Sequence, residues 1–122
     1  MEMMVMSKNY PEMAKELTGA IVNLRGAIPE TMRAFSQLSV TASADSVLDP
    51  KTKELLAIAI AITTRCDGCI AFHVKAAVKF GASREEVAET VGMAVYMGGG
   101  PSMIYGAQTL EAYDQFVEIY AK

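Results

Sequence analysis

The chain has two cysteines and one histidine, and all three fall in one stretch, Cys66-Asp67-Gly68-Cys69 followed by His73. The cysteines stand three residues apart, and Cys69 and His73 four apart, so on a helix the three side chains share a face. A helix beginning here would hold both cysteines in its first turn, where unpaired N–H groups and the helix dipole favour thiolate over thiol. A neighbouring imidazole can take a thiol proton and turn a weak nucleophile into a strong one at neutral pH. The second thiol can then close a disulfide on a sulfur that has been attacked or oxidised. Upstream, Glu54 is separated from Cys66 by eleven residues. In an antiparallel helix hairpin Glu54 lies roughly 16 Å back from the cysteine turn and His73 roughly 9 Å forward of it. That leaves about 7 Å for two side chains, or a water, to bridge. A glutamate paired with the imidazole would orient the ring and raise its basicity.

Each of these residues also has a plainer reading. A Cys-x-x-Cys with one histidine is half of a zinc site. Structural zinc takes four ligands, and here only Glu54 or a second subunit could complete the set. His73, between Phe72 and Val74, could be a core histidine, although the cysteine at helical spacing argues against it. Glu54 could be a solvated glutamate near a helix start. Asp67 reads as a loop or capping residue rather than a catalyst. Gly98-Gly99-Gly100 follows a helical pattern, lacks the P-loop lysine and the dinucleotide spacing, and reads as a turn. No motif calls for a cofactor.

The elements that must position these residues read as helices. Residues 1 to 8, MEMMVMSK, show no turn signal and are given no role; they either stay disordered or dock their methionines on a partner subunit. From Pro11, Met13, Leu17, Ala20, Ile21 and Leu24 recur at helical spacing up to Gly26, which predicts a helix over about 11–25. Pro29 opens a second helix with Ile28, Met32, Phe35 and Leu38 on one face, and 41–46, TASADS, is a polar connection. Asp49-Pro50 is a cap followed by a first-turn proline. The alternation of Ile58, Ile60 and Ile62 with alanines suits a strand, but the cap and the alanines favour a helix over 50–65, apolar on all sides and therefore buried.

After the cysteine turn a helix runs from Ile70 to Phe80 and ends at Gly81 in the role of a left-handed cap. Ser83 with Glu86 is a capping box, opening a helix whose apolar face includes Val87, Thr90, Val91, Ala94, Tyr96 and Met97. Pro101 opens the last helix, to about Tyr120, with Met103, Ile104, Ala107, Leu110, Tyr113, Phe116 and Val117 inward. The Met and Tyr side chains from Met93 to Tyr105 read as core or interface packing. The sum is an all-α chain of about six helices.

Composition bounds the setting. The 122 residues are one domain's worth, enough to bury about two-thirds of the unfolded surface without staples. Hydrophobic residues make up 52% of the chain, with nine Met and a mean hydropathy of +0.23, which is more apolar surface than a compact monomer of this size hides. A homo-oligomer that buries a helix face between subunits follows. The net charge of −3 and the absence of any Lys or Arg cluster argue against a nucleic-acid partner. No segment approaches the roughly 18 to 20 apolar residues of a membrane span. No export signal marks the N-terminus, so the expected setting is the cytoplasm. In that reducing compartment a Cys-x-x-Cys reads as a redox pair or a metal site rather than a structural bridge.

Glu54, eleven intervening residues, Cys66-x-x-Cys69, three more residues and His73 resemble the E-x11-C-x2-C-x3-H signature of the alkylhydroperoxidase D-like (AhpD-like) proteins of the carboxymuconolactone decarboxylase superfamily. The segment GASREEVAETVGMAVYMGGGPSMIYGA, from Gly81 to Ala107, is similar to the small single-domain members. The resemblance covers roughly residues 25–115 and implies one domain across 1–122, an all-helical fold and obligate oligomers, commonly trimers or hexamers. It also implies a peroxidase or disulfide reductase cycle. Cys69 would react with hydroperoxide, Cys66 would resolve, and His73 with Glu54 would manage the proton. The electrons would come from a dithiol reductant such as a lipoylated or thioredoxin-like protein. The better-characterised members carry a histidine between the cysteines, whereas this pair encloses Asp67 and Gly68, so a relay through that ring is absent. Decarboxylases of the superfamily lack the cysteine pair, which points this chain away from lactone decarboxylation. The alternatives are a decarboxylase-like lyase, for which only Arg65 offers an anion-binding group beside the site, and a non-enzymatic oligomer whose thiols bind metal or sense oxidants.

Overall fold

The computed structural model describes residues 8–120, and among them every regular element is a helix. The order is α1 (Tyr10–Ala27), α2 (Pro29–Ser43), α3 (Pro50–Thr63), α4 (Asp67–Lys79), α5 (Arg84–Gly98) and α6 (Gly100–Tyr120). The Met-rich residues 1–7 lie outside the described residues.

Local chemistry sets the helix starts. The Asn9 side chain accepts the Glu12 N–H at 2.9 Å, and Asp49 accepts the Thr52 N–H at 2.8 Å directly ahead of Pro50. Ser83 and Glu86 form the full capping box, each side chain accepting the other's backbone N–H. Two ends close in the same way. Beyond α3, the Cys66 N–H bonds to the Ala61 carbonyl at 3.0 Å and the Arg65 N–H to that of Ile62 at 3.2 Å. Beyond α4, the Ala82 N–H bonds to Ala77 at 2.9 Å and the Gly81 N–H to Val78 at 3.0 Å. Both are Schellman motifs, and each needs a left-handed residue. Gly81 supplies it at φ 85°, and Arg65 adopts it at φ 59°, where a side chain costs about 1–2 kcal/mol.

The core is a contiguous cluster in which Ile58, Ile62, Ile70, Val74, Val87 and Phe116 are buried. Helices α3, α4, α5 and α6 enclose it, α1 lies against α4 and α6, and α2 touches only α1 and α3. No helix among the described residues is long and apolar enough to cross a membrane.

Several sequence expectations need correction. Helix α2 continues through Ser43, into the segment read as a polar connection, because the Lys53 ammonium caps its end, donating to the carbonyls of Ala42 and Ala44 at 2.9 and 2.6 Å. Helix α3 is not buried on all sides, since Leu56 and Ile60 are exposed within the chain. Tyr96 and Met97 of α5 are also exposed, as are Met103, Ile104 and Ala107 of α6. The face that α6 turns inward is instead Ser102, Gly106, Thr109, Ala112, Tyr113 and Phe116. Small residues decide that register. A Cβ on Gly106 would stand 2.5 Å from Val91 Cγ1, so α5 and α6 approach more closely than methionine or isoleucine would allow.

Candidate redox site

The link from Thr64 to Cys66 reverses the chain between α3 and α4 and places the two cysteines at the start of the second helix. Cys66 is the N-cap of α4, with extended backbone, rather than a first-turn residue; its Sγ accepts the Cys69 N–H at 3.1 Å. Cys69 is the third helical residue and lies exposed. The two are joined by a disulfide, with Cα atoms 5.2 Å apart, inside the range a bridge requires. Gly68, between them, faces α1: a Cβ there would stand 2.8 Å from Leu17 Cδ1, so Leu17 fills the place a side chain would take.

His73 follows Cys69 by one helical turn. Its Nδ1 is 2.6 Å from Glu54 Oε1 of α3, and Glu54 is only 9% exposed. The gap of about 7 Å left by rise per residue is closed by the two side chains in direct contact. A carboxylate in its ionised form only accepts hydrogen bonds, so opposite that form Nδ1 is the donor, and a neutral ring then keeps Nε2 as its acceptor nitrogen. The His73 side chain is about two-fifths exposed, at 42%, which leaves the ring open to a ligand.

A second cluster meets the site at Asp67. The Lys8 ammonium donates to Asp67 Oδ2 at 2.8 Å and to Gln108 Oε1 at 3.1 Å. The Tyr10 hydroxyl, on a fully buried residue, donates to Asp67 Oδ1 at 3.2 Å. Burial first, and then the Asp67 charge, push the Tyr10 phenol far above its usual range, so it remains a donor. The main chain of the segment is held as well: Gln115 Nε2 donates to the Lys8 carbonyl at 2.7 Å, and its Oε1 accepts the Tyr10 N–H at 2.8 Å. Asp67 is therefore tied to the N-terminal segment and not spent on capping. Lys8 belongs to the stretch given no role from sequence. No spacing rule could reveal a partner 59 residues away, and the only signal was a carboxylate standing between the two cysteines.

The four residues singled out from sequence thus fall into two pairs on the α3/α4 hairpin, Cys66 with Cys69 at its turn and Glu54 with His73 farther along the two helices. A groove of about 790 Å³ between α1, α4 and α6 is lined by Lys75, Phe116 and Tyr120 among others and contains none of the four. Among the described residues no group of three or more His, Cys, Asp and Glu side chains is placed to hold a metal ion.

Known proteins share this fold. Residues 29–112 match the carboxymuconolactone decarboxylase family. An uncharacterized protein of Cupriavidus necator is 38% identical over 88 residues, 72% of this chain and 78% of its own length. Uncharacterized protein 4 of the cox locus of Paracoccus denitrificans is 36% identical over 96 residues, 73% of this chain and 86% of its own length. The crystal structure of the apo form of a carboxymuconolactone decarboxylase family protein from Legionella pneumophila superposes with a TM-score of 0.86 at 48% identity, over 90% of this chain and 98% of that one. A Thermotoga maritima member of the same family, described with a suggested involvement in the antioxidative response, superposes with a TM-score of 0.74 at 28% identity, over 93% and 94%. With an all-α fold of six helices, a Cys-x-x-Cys opening α4 and a family match across most of its length, the chain belongs to the carboxymuconolactone decarboxylase family, on its AhpD-like side.

Proposed function

We propose that the protein is a thiol-dependent oxidoreductase that reduces hydroperoxides or disulfides. In this reading Cys69 is the nucleophile, Cys66 the resolving thiol, His73 the base and Glu54 the residue that orients it. The observation that carries the reading is the Cys66–Cys69 bridge with a Glu54–His73 pair one helical turn beyond it. Exposure supports the division of labour, since Cys69 is the more open of the two cysteines.

In the peroxidase cycle His73 takes the Cys69 proton through Nε2, and the thiolate attacks one oxygen of the hydroperoxide. The O–O bond breaks, the alkoxide leaves with the proton that His73 held, and the products are an alcohol and a Cys69 sulfenic acid. The Cys66 thiol then attacks the Cys69 sulfur, forming the disulfide and releasing water. A dithiol reductant opens the bridge, closes its own disulfide, and its two protons return to Cys66 and Cys69. A lipoylated or thioredoxin-like protein in the cytoplasm has the chemistry this step needs. The antioxidative role suggested for the Thermotoga relative agrees with it.

The working form in this proposal is a homo-oligomer, a trimer or hexamer. Helix α2 buries none of its residues, with Phe35 and Leu38 63% and 60% exposed, and α3, α5 and α6 leave Ile60, Met97 and Ile104 uncovered.

The test is hydroperoxide consumption coupled to oxidation of a dithiol. Cys69→Ser is expected to abolish it, and Cys66→Ser to leave a sulfenic acid that a dimedone probe captures. A Cys69→Ser protein turning over like the unaltered one would sink the assignment.

A further inference from the structure

We propose that the Lys8–Asp67 ion pair tunes the Cys66–Cys69 couple: Asp67 places a negative charge inside the redox loop, and Lys8 is held there to cancel it. The inference rests on the reading of the cysteines as a working redox couple and adds to it the residues that set how readily the couple is reduced.

The placement is specific. Asp67 is the residue after Cys66 and the first helical residue of α4, so its carboxylate lies on the order of 6–8 Å from the sulfurs. A carboxylate there suits the helix dipole but disfavours a thiolate beside it. At that separation, in partly solvated surroundings, one unit charge shifts a thiol by about half a pH unit.

Lys8 is not a loose surface lysine that happens to be near. Its ammonium is fixed by Asp67 and Gln108 and lies 5.4 Å from the centroid of the Tyr105 ring. Its backbone carbonyl is anchored by Gln115, and the neighbouring Tyr10 is locked in the core. A merely structural tether for the N-terminal segment would need no charge at this point, because Tyr10 and Gln115 already supply one. The other ionisable groups of this region include Arg65 beside Cys66, the Glu54–His73 pair from α3 and α4, Tyr10, and Tyr105 and Glu111 of α6, which act on Tyr10. All of them remain unchanged in the variants below.

Reduction by a dithiol breaks the Cys66–Cys69 bond and transfers two electrons and two protons, while the dithiol closes its own disulfide. Above its pKa one of the new thiols gives its proton to water. Whatever stabilises that thiolate favours the reduced form.

The experiment uses the full chain, with dithiothreitol as the dithiol probe. The thiol pKa of the reduced protein is read from the alkylation rate against pH, and the equilibrium constant with dithiothreitol from the fraction alkylated. Lys8→Met is expected to raise the thiol pKa by about half a unit and, at a pH above that pKa, to lower the equilibrium constant about threefold. Asp67→Asn is expected to move both in the opposite direction. The double variant should return close to the unaltered protein, and Lys8→Arg should match it. High salt should shrink both single shifts. Thermal melts establish that each variant is folded. A tether without an electrostatic role predicts shifts of the same sign in both single variants, or no shift, and either result overturns the inference. A couple that dithiothreitol cannot reduce in the unaltered, folded protein would instead overturn the proposed function, so the two failures are distinguishable.

Discussion

Glu54 of α3 and His73 of α4 are in contact at 2.6 Å across the hairpin, with the carboxylate buried and the imidazole partly open to solvent. The arrangement fixes the ring by its Nδ1 and leaves Nε2 outside the Glu54 contact. Glu54→Ala is therefore expected to slow Cys69 alkylation at neutral pH, and hydroperoxide turnover with it, about tenfold to a hundredfold. Glu54→Gln, which keeps the shape but not the charge, should fall between. His73→Ala leaves a buried carboxylate without its donor and should lower stability by about 1–3 kcal/mol in urea unfolding. Unchanged alkylation in the Glu54→Ala protein would remove the orienting role.

The close approach of α5 and α6 makes a second prediction. A methyl group at Gly106 would meet Val91 Cγ1 at 2.5 Å, and a β-branched valine cannot rotate its way out cheaply. Gly106→Ala should destabilise the fold by about 1–3 kcal/mol. Adding Val91→Ala should recover part of that loss, so the double-mutant cycle shows a coupling that independent sites would not. Additive effects in urea titrations would show that the helices can separate without penalty.

Acid sensitivity follows from three surface carboxylates. The Thr52 N–H holds Asp49 below its usual pKa, the Ser83 N–H and then Lys51 do the same for Glu86, and the Arg84 guanidinium does so for Asp114. Each group binds protons more weakly folded than unfolded. Its contribution is complete above the ordinary carboxylate range and is lost as pH falls through the lowered value, below about pH 4. Glu86→Gln should flatten that acid limb in melting temperature against pH. A limb as steep as that of the unaltered protein would mean the capping box contributes nothing through its charge.

The parts of this fold that were readable from sequence are those decided within a few residues. Asp49-Pro50, Ser83 with Glu86, and Gly81 at φ 85° each act on their own backbone, and each marks the boundary it was expected to mark. The register of α6 was not readable in this way. Hydrophobicity favours Met103 and Ile104 as inward residues, but Ser102 and Gly106 win because packing against Val91 is a property of two helices together. The candidate site divides along the same line. The spacing of Cys66, Cys69 and His73 is local, and Glu54 was placed only to within about 7 Å by helix rise. The Lys8, Tyr10 and Gln108 ring around Asp67 has no local signature, since its members are separated by as many as 100 residues.

The sulfur of Cys66 is at once one end of the bridge and the acceptor for the Cys69 amide. When electrons open the bond, the released sulfur stands where it can keep that amide hydrogen, and as a thiolate it attracts it more strongly. In the proposed cycle the beginning of α4 is thus secured by a covalent link in one half and by an ordinary polar contact in the other. Turnover need not unwind the helix, so the scaffold can stay still while only the sulfurs change partners.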